Sequence, residues 1–243
     1  MEPDAKIDAF LAAKRGIRAP LDVAHSALLV IDMQGYQVSG DGAIAKFFGT
    51  FAPGVLDYFT ERVKDVVVPS ITSLLGAFRE ARLPVLFTRY ASNRPDLKDY
   101  PPQVQMYNSL AEKTTGEALF PSVFNPTSEI LPELAPRAED GEIVLLKTTS
   151  CAFTSTDLDH LLRNLHVSTL VICGVVTNMC VEGAARIAAD LGFRVVLVDD
   201  ACAAWSPAMH EASLRSLELL YCDVIKTEEL VRNIRRSMRK KEK

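Results

Sequence analysis

Residues 168–191 read STLVICGVVTNMCVEGAARIAADL, an apolar run that breaks at a turn and resumes with helical periodicity. Thr169–Cys173 is short, apolar and rich in β-branched residues, which predicts a buried strand. Gly174 then allows a backbone turn that other residues resist, and Thr177 or Asn178 is placed to cap the next helix. Val181, Ala184, Ala185, Ile187 and Ala188 recur at helical spacing, so the predicted helix covers 178–191 and Cys180 falls in its first turn. A thiol at the positive end of a helix is expected to ionise more readily than a free one. The alternative reading is a buried structural cysteine, since cysteine is among the most buried residue types.

The same strand and helix alternation extends outward in both directions. Downstream, the pattern predicts a strand at 194–198, a helix at 207–220, a strand at 222–225 and a last helix from Thr227, with DACAAWSP at 200–207 as a loop. Upstream, Glu142–Leu146 is an apolar run that ends at Lys147, and a capped helix is expected over 156–165. Nearer the start, SALLVI at 26–31 runs into Asp32 with the character of a central strand buried on both faces. Ile71, Leu74, Leu75 and Phe78 define a helix over 67–82, followed by the short strand PVLFT at 84–88. Strands separated by helices require crossovers, which predicts an α/β three-layer sandwich: a six-stranded, Rossmann-type parallel sheet flanked by helices. Two stretches resist the pattern. Residues 35–53 look irregular, with Phe47, Phe48 and Phe51 as core, lid, pocket-wall or interface residues; residues 90–137 form a polar, proline-containing excursion longer than ordinary connections.

Nothing divides the 243 residues, so the expectation is a single domain over 1–243, with a polar N-terminal arm at 1–24 and a basic C-terminal tail at 231–243. The composition, 48% hydrophobic and 24% charged with a formal net charge of −4, is that of a soluble globular protein and gives no reason to expect nucleic-acid binding. No membrane-spanning run or signal-like start is visible. The five cysteines, at 151, 173, 180, 202 and 222, show neither CxxC nor zinc-ligand spacing. They are read as reduced thiols in a cytoplasmic protein.

Asp32, Lys147 and Cys180 each fall at or just past the carboxyl end of a strand, the side of an open α/β sheet on which ligands bind. An aspartate and a lysine closing two apolar runs neutralise each other if buried together, so a structural ion pair accounts for those two alone. With a thiol beside them they supply the parts of a nucleophilic hydrolase. Gln34, Tyr36, Arg89, Tyr90, Asn93, Phe153 and Thr177 are the candidates for substrate contact, because they follow the strands or the three site residues. Tyr36 and Phe153 have simple packing as their alternative, and Arg89 a surface ion pair. An Arg89 facing the pocket would suit a substrate carboxylate.

VIDMQ at 30–34, Lys147 followed by the segment 150–158, GVVTNMC at 174–180 and VDDA at 198–201 together resemble the isochorismatase-like cysteine hydrolases. The resemblance spans about residues 24–230. It implies that Asp32, Lys147 and Cys180 form a catalytic triad. It also implies a cis peptide between Val175 and Val176 that aims the N–H groups of Val176 and Cys180 at an oxyanion, and assembly as a homodimer or homotetramer. Family members that cleave a vinyl ether typically lack the cysteine, so Cys180 favours an amide or ureido substrate, of the ureidoacrylate, carbamoylsarcosine or biuret type. The metal-site spacing of the related nicotinamidases is not found among His25, His160, His166 and His210, so neither metal nor cofactor is expected. Two alternatives stay open: isochorismatase-type vinyl-ether hydrolysis, and a catalytically silent binding protein of the same fold.

Overall fold

Six short apolar segments assemble into one parallel sheet in the order β3-β2-β1-β4-β5-β6. The computed structural model describes residues 3–241; Met1 and Glu2 of the expected arm and Glu242 and Lys243 of the expected tail lie outside them. The strands are β1 (Ser26–Ile31), β2 (Val85–Tyr90), β3 (Ile143–Lys147), β4 (Thr169–Val175), β5 (Arg194–Ala203) and β6 (Cys222–Ile225). The helices are α1 (Pro3–Gly16), α2 (Gly35–Val38), α3 (Ala43–Gly49), α4 (Asp57–Arg62), α5 (Val68–Glu80), α6 (Pro102–Thr115), α7 (Leu158–Asn164), α8 (Glu182–Asp190), α9 (Pro207–Leu220) and α10 (Thr227–Lys241). β1 and β4 are buried at every position, which is why their sequences run apolar without alternation. Among the described residues no helix is long and apolar enough to cross a membrane.

The chain starts in the middle of the sheet, works outward through β2 to β3, and returns to lay β4 on the other side of β1. The strand order therefore reverses between β1 and β4, and the crevice outside their carboxyl ends is where open α/β sheets bind ligands. Gly174, expected to form a turn, lies instead inside β4, paired with Ile31. Its φ is +111°, and a Cβ there would collide with the backbone of Ile31, so no other residue lets β1 and β4 approach in this way.

Several segments differ from the sequence reading. β5 continues through Ala203 where a loop was expected at 200–207: its pairing with β4 jumps from Ile172↔Leu197 to Gly174↔Cys202, and the residues accommodated at that irregularity include the Asp199-Asp200 pair that made the stretch look like a loop. The excursion 90–137 contains α6, whose inward residues are only Asn108 and Ala111. Asn108 exchanges hydrogen bonds with the backbone of Phe120, so a polar side chain does there what an apolar stripe does elsewhere. Residues 35–53 hold α2 and α3; Phe47 joins Tyr36, Ile44, Leu56, Ala111 and Leu119 in a second apolar cluster, while Phe48 stacks edge-on against Trp205. The N-terminal arm is helical over α1 and lies on its own chain, through Leu11 in the core and Arg15 bonded to Glu218.

Candidate active site

Asp32 follows β1 directly and takes a left-handed backbone conformation, φ +53°, tolerated by aspartate better than by most residues. Thr88 of β2 fixes it by donating its hydroxyl to Asp32 Oδ1 at 2.6 Å. Lys147 ends β3, two strands away from β1, and its side chain must cross β2 to reach Asp32. It does so over the ring of Tyr90, its register partner, with Nζ 3.9 Å from the ring centroid. Nζ then stands 2.8 Å from Asp32 Oδ2, donates to the carbonyls of Thr149 and Ser150 at 2.9 Å each, and lies 3.5 Å from Cys180 Sγ. Neither side chain of the ion pair has any solvent exposure.

Cys180 sits on a five-residue π-helical turn, Thr177–Val181, between β4 and α8. The wider turn lets the N–H of Val181 reach back to the Val176 carbonyl at 3.4 Å, and Met179 N–H does so at 3.0 Å. Among the described residues the N–H groups of Val176 and Cys180 make no backbone hydrogen bond to a neighbouring element. The peptide between Val175 and Val176 is cis. The expected side-chain cap is absent: Asn178 does not cap the turn, and Thr177 turns its hydroxyl to His210 Nδ1 at 2.9 Å.

The charges of the three residues differ from the sequence reading in one respect. Burial pushes the Cys180 thiol up to about 12; Lys147 pulls the other way and Asp32 adds to the rise. A protonated thiol therefore replaces the expected thiolate, because desolvation of a side chain on a residue only 6% exposed outweighs the helix end. Burial also works against the Lys147 cation, but the Asp32 carboxylate outweighs it and its pKa is raised. Asp32 Oδ1 is occupied by Thr88, whereas Oδ2, although in charge contact with Lys147, accepts no well-directed hydrogen bond. A buried carboxylate oxygen that accepts no well-directed hydrogen bond near a buried thiol can take up a proton.

Of the expected substrate contacts, Tyr90 lies against the cluster of Asp32, Lys147 and Cys180, under the lysine. Gln34 is wholly buried and spends its amide on Tyr90 and Ser128 backbone groups, at 2.7 Å from Tyr90 N and 2.6 Å to Ser128 O. The Tyr36 hydroxyl donates to the Tyr90 carbonyl at 2.9 Å, deep in the second apolar cluster. Arg89 points away, bound to Ser128, Val123 and Glu129, so it lends no support to a substrate carboxylate. Asn93 is exposed on the loop after β2, and Phe153 packs on Phe193 near the start of β5. Thr88, which fixes Asp32, and His210, which holds Thr177, were not singled out from the sequence; the polar ending of PVLFT was the one signal for the first.

Residues 26–229 match the isochorismatase domain. Among curated proteins, nicotinamidase 3 of Arabidopsis thaliana is 27% identical over 209 residues, 86% of this chain and 88% of that one. Maleamate amidohydrolase of Pseudomonas putida is 29% identical over 210 residues, 86% of each chain. Among solved structures, a cysteine hydrolase from Pseudomonas syringae pv. phaseolicola superposes with a TM-score of 0.73 at 25% identity, over 90% of this chain and 96% of that one. Among the described residues no group of three or more His, Cys, Asp and Glu side chains is placed to hold a metal ion.

Proposed function

The chain belongs to the isochorismatase family of hydrolases, and from that premise we propose that it is a cysteine-dependent amidohydrolase. Its substrate in this reading is a small amide or a carbamoyl or ureido compound, cleaved with release of ammonia through a thioester. One observation carries the reading: Asp32 Oδ2, in charge contact with Lys147 but accepting no well-directed hydrogen bond, lies in a buried cluster with Lys147 and the Cys180 thiol. The likeness to an amidohydrolase named for maleamate supports the bond class.

The steps follow from the charges. As substrate displaces water, Cys180 passes its proton to Asp32 Oδ2 and the sulfur forms a bond to the substrate carbonyl carbon, while Lys147 offsets the charge that develops. The carbonyl oxygen becomes an oxyanion, for which the N–H groups of Val176 and Cys180 are the donors in this reading; such a donor is worth about 3 to 4 kcal/mol in other hydrolases. The C–N bond then breaks, Asp32 returns its proton to the departing nitrogen, and water hydrolyses the thioester with Asp32 again as base. A raised thiol pKa suits this sequence, since the proton moves only when a substrate is there to receive the sulfur.

The test is a panel of ureidoacrylate, carbamoylsarcosine, biuret, maleamate, nicotinamide and isochorismate, read by ammonia release and by the mass of an acyl adduct at Cys180. At least one amide is turned over by the wild type, with an adduct on Cys180, and chelator treatment leaves the rate unchanged. Cleavage of isochorismate alone without ammonia, or full amidase activity in Cys180→Ala, overturns the proposal.

A further inference from the structure

The turn that carries Cys180 has no side-chain cap of its own, and its grip comes from α9 instead. His210 and Ser213 stand one helical turn apart on the same buried face of α9. His210 Nδ1 meets the Thr177 hydroxyl at 2.9 Å, and Ser213 Oγ lies 3.5 Å from the Thr177 carbonyl and 2.5 Å from Glu182 Oε2, just past the far end of the turn. Behind His210, Nε2 lies 3.0 Å from Asp199 Oδ1 of β5. Arg62 of α4 and Lys226 before α10 complete the surround, with Arg62 Nη2 at 3.2 Å from Nε2 and Lys226 Nζ at 2.6 Å from Asp199 Oδ2. Thr177, His210 and Ser213 are all buried.

Resting on the reading of Cys180 as nucleophile, we propose that Asp199 and His210 are positioning residues that fix the nucleophile turn through the hydroxyl of Thr177. The proton order follows from the partners. Burial works against charge on Asp199, but His210 and Lys226 outweigh it and hold the carboxyl at about 2, so it is an anion and an acceptor at neutral pH. Arg62 brings only donors, and its Nη2 at 3.2 Å from Nε2 opposes a proton there, but the Asp199 oxygen is closer, at 3.0 Å, and as an anion it prevails. Nε2 therefore carries the imidazole proton and gives it to Asp199, which leaves the Nδ1 lone pair to accept from Thr177. That bond fixes the Thr177 rotamer at the start of the turn, three residues before the thiol. Released, the turn lets Sγ drift from Lys147 and from the free oxygen of Asp32, and the proton transfer loses its geometry. A misplacement of about 1 Å at a reacting group costs on the order of a hundredfold.

The test is a double-mutant cycle on the full-length protein with Thr177→Val, Thr177→Ser, His210→Gln and the Thr177→Val/His210→Gln pair. Each is checked for folding by its thermal midpoint and read by the iodoacetamide labelling rate of Cys180 at pH 7. Thr177→Val and His210→Gln each slow labelling about tenfold or more, the pair slows it no further than the slower single variant, and Thr177→Ser stays within about threefold of wild type. With an amide that the wild type turns over, kcat falls in step with labelling while KM holds. The ¹⁵N shifts of the four histidines place His210 in the Nε2–H form. Equal rates in all the proteins, by labelling and by amide turnover, overturn the proposal, as do multiplying losses in the pair, a Thr177→Ser as slow as Thr177→Val, or an Nδ1–H tautomer. Failure of the parent reading shows elsewhere, in ammonia release that survives Cys180→Ala.

Discussion

Two clusters of charge sit at opposite ends of the same sheet, and they use similar residue types to different ends. At the amino end, Arg194 of β5 holds Asp223 of β6 at 2.9 Å and the carbonyls of Ala19 and Pro20 at 2.6 Å each, Arg15 grips Glu218 at 2.6 Å, and Arg18 lies 3.3 Å from Asp223. These side chains border an open cleft of about 470 Å³, and 28% of the Arg194 side chain and 53% of that of Arg15 are exposed. At the carboxyl end, Asp32 and Lys147 are closed off altogether. Arg18 Nε, like Asp32 Oδ2, is buried and lacks a well-directed hydrogen bond, but it is a donor that faces the Asp223 carboxylate at 3.3 Å. Oδ2 is an acceptor with only a thiol and a cation for company. Ion pairing alone does not mark a site; a buried acceptor short of a well-directed hydrogen bond near a buried thiol is what sets the carboxyl end apart.

The strongest way to break this contrast is to show that the carboxyl-end cluster only holds the fold together. If it is a site, Cys180→Ala lowers amide turnover by about 10⁴-fold or more, while its thermal midpoint stays near that of the wild type. Asp32→Asn gives a comparable loss, because an amide oxygen does not take the thiol proton. Ammonia release by these two variants at wild-type rates would place the cluster with the structural pairs.

The next effect is on stability. Lys147→Met leaves a buried carboxylate unpaired and costs about 3 to 5 kcal/mol, measured by urea unfolding. Adding Asp32→Asn removes that orphan charge and recovers most of the loss, yet restores no turnover. A double variant no more stable than Lys147→Met alone would show that the lysine acts through Thr149 and Ser150 and not through Asp32.

How far the sequence shows these differences depends on what each residue faces. β1, β4, α9 and the start of α10 are legible because apolar runs and 3.6-residue stripes report burial directly. Asp32, Lys147 and Cys180 are legible because each closes or follows such a run. For Arg89 the sequence leaves a pocket contact and a surface ion pair open, and the structure has the ion pair, with Glu129; strand alternation sends Thr88 and Tyr90 to one face and Arg89 to the other. The protonated state of Cys180 is illegible because helix position argues for a thiolate and only three-dimensional burial argues against it. The tie from His210 to Thr177 spans 33 positions of sequence and leaves no local pattern. α6 stays hidden because Asn108 occupies its inner face.

A smaller effect distinguishes the support behind the Cys180 turn from both clusters. The Asp199 carboxyl is held at about 2 against an ordinary 3.8, so its contribution is present above the unfolded value and is lost as pH falls through the folded one. The Asp199 side chain keeps 22% exposure, and after allowance for screening the contribution is on the order of 1 kcal/mol. Wild type is therefore more stable than Asp199→Asn at pH 7, and the gap closes between about pH 4 and pH 2. A gap that persists unchanged at pH 2 would mean that Asp199 acts by packing and not by charge.

The smallest effect is expected at the amino end. Arg194→Met removes one partner of Asp223, but water reaches the carboxylate and the Ala19 and Pro20 carbonyls, so no charge is left stranded. The cost is then about 1 kcal/mol or less, and raising the salt concentration shrinks it further. The same lysine-or-arginine to methionine change thus costs several times less here than at Lys147, with turnover untouched, and the ratio of the two urea-unfolding losses measures what burial adds to an ion pair. A loss at Arg194 as large as that at Lys147, and indifferent to salt, would mean that the cleft is closed to water in solution and that the two ends of the sheet are built alike.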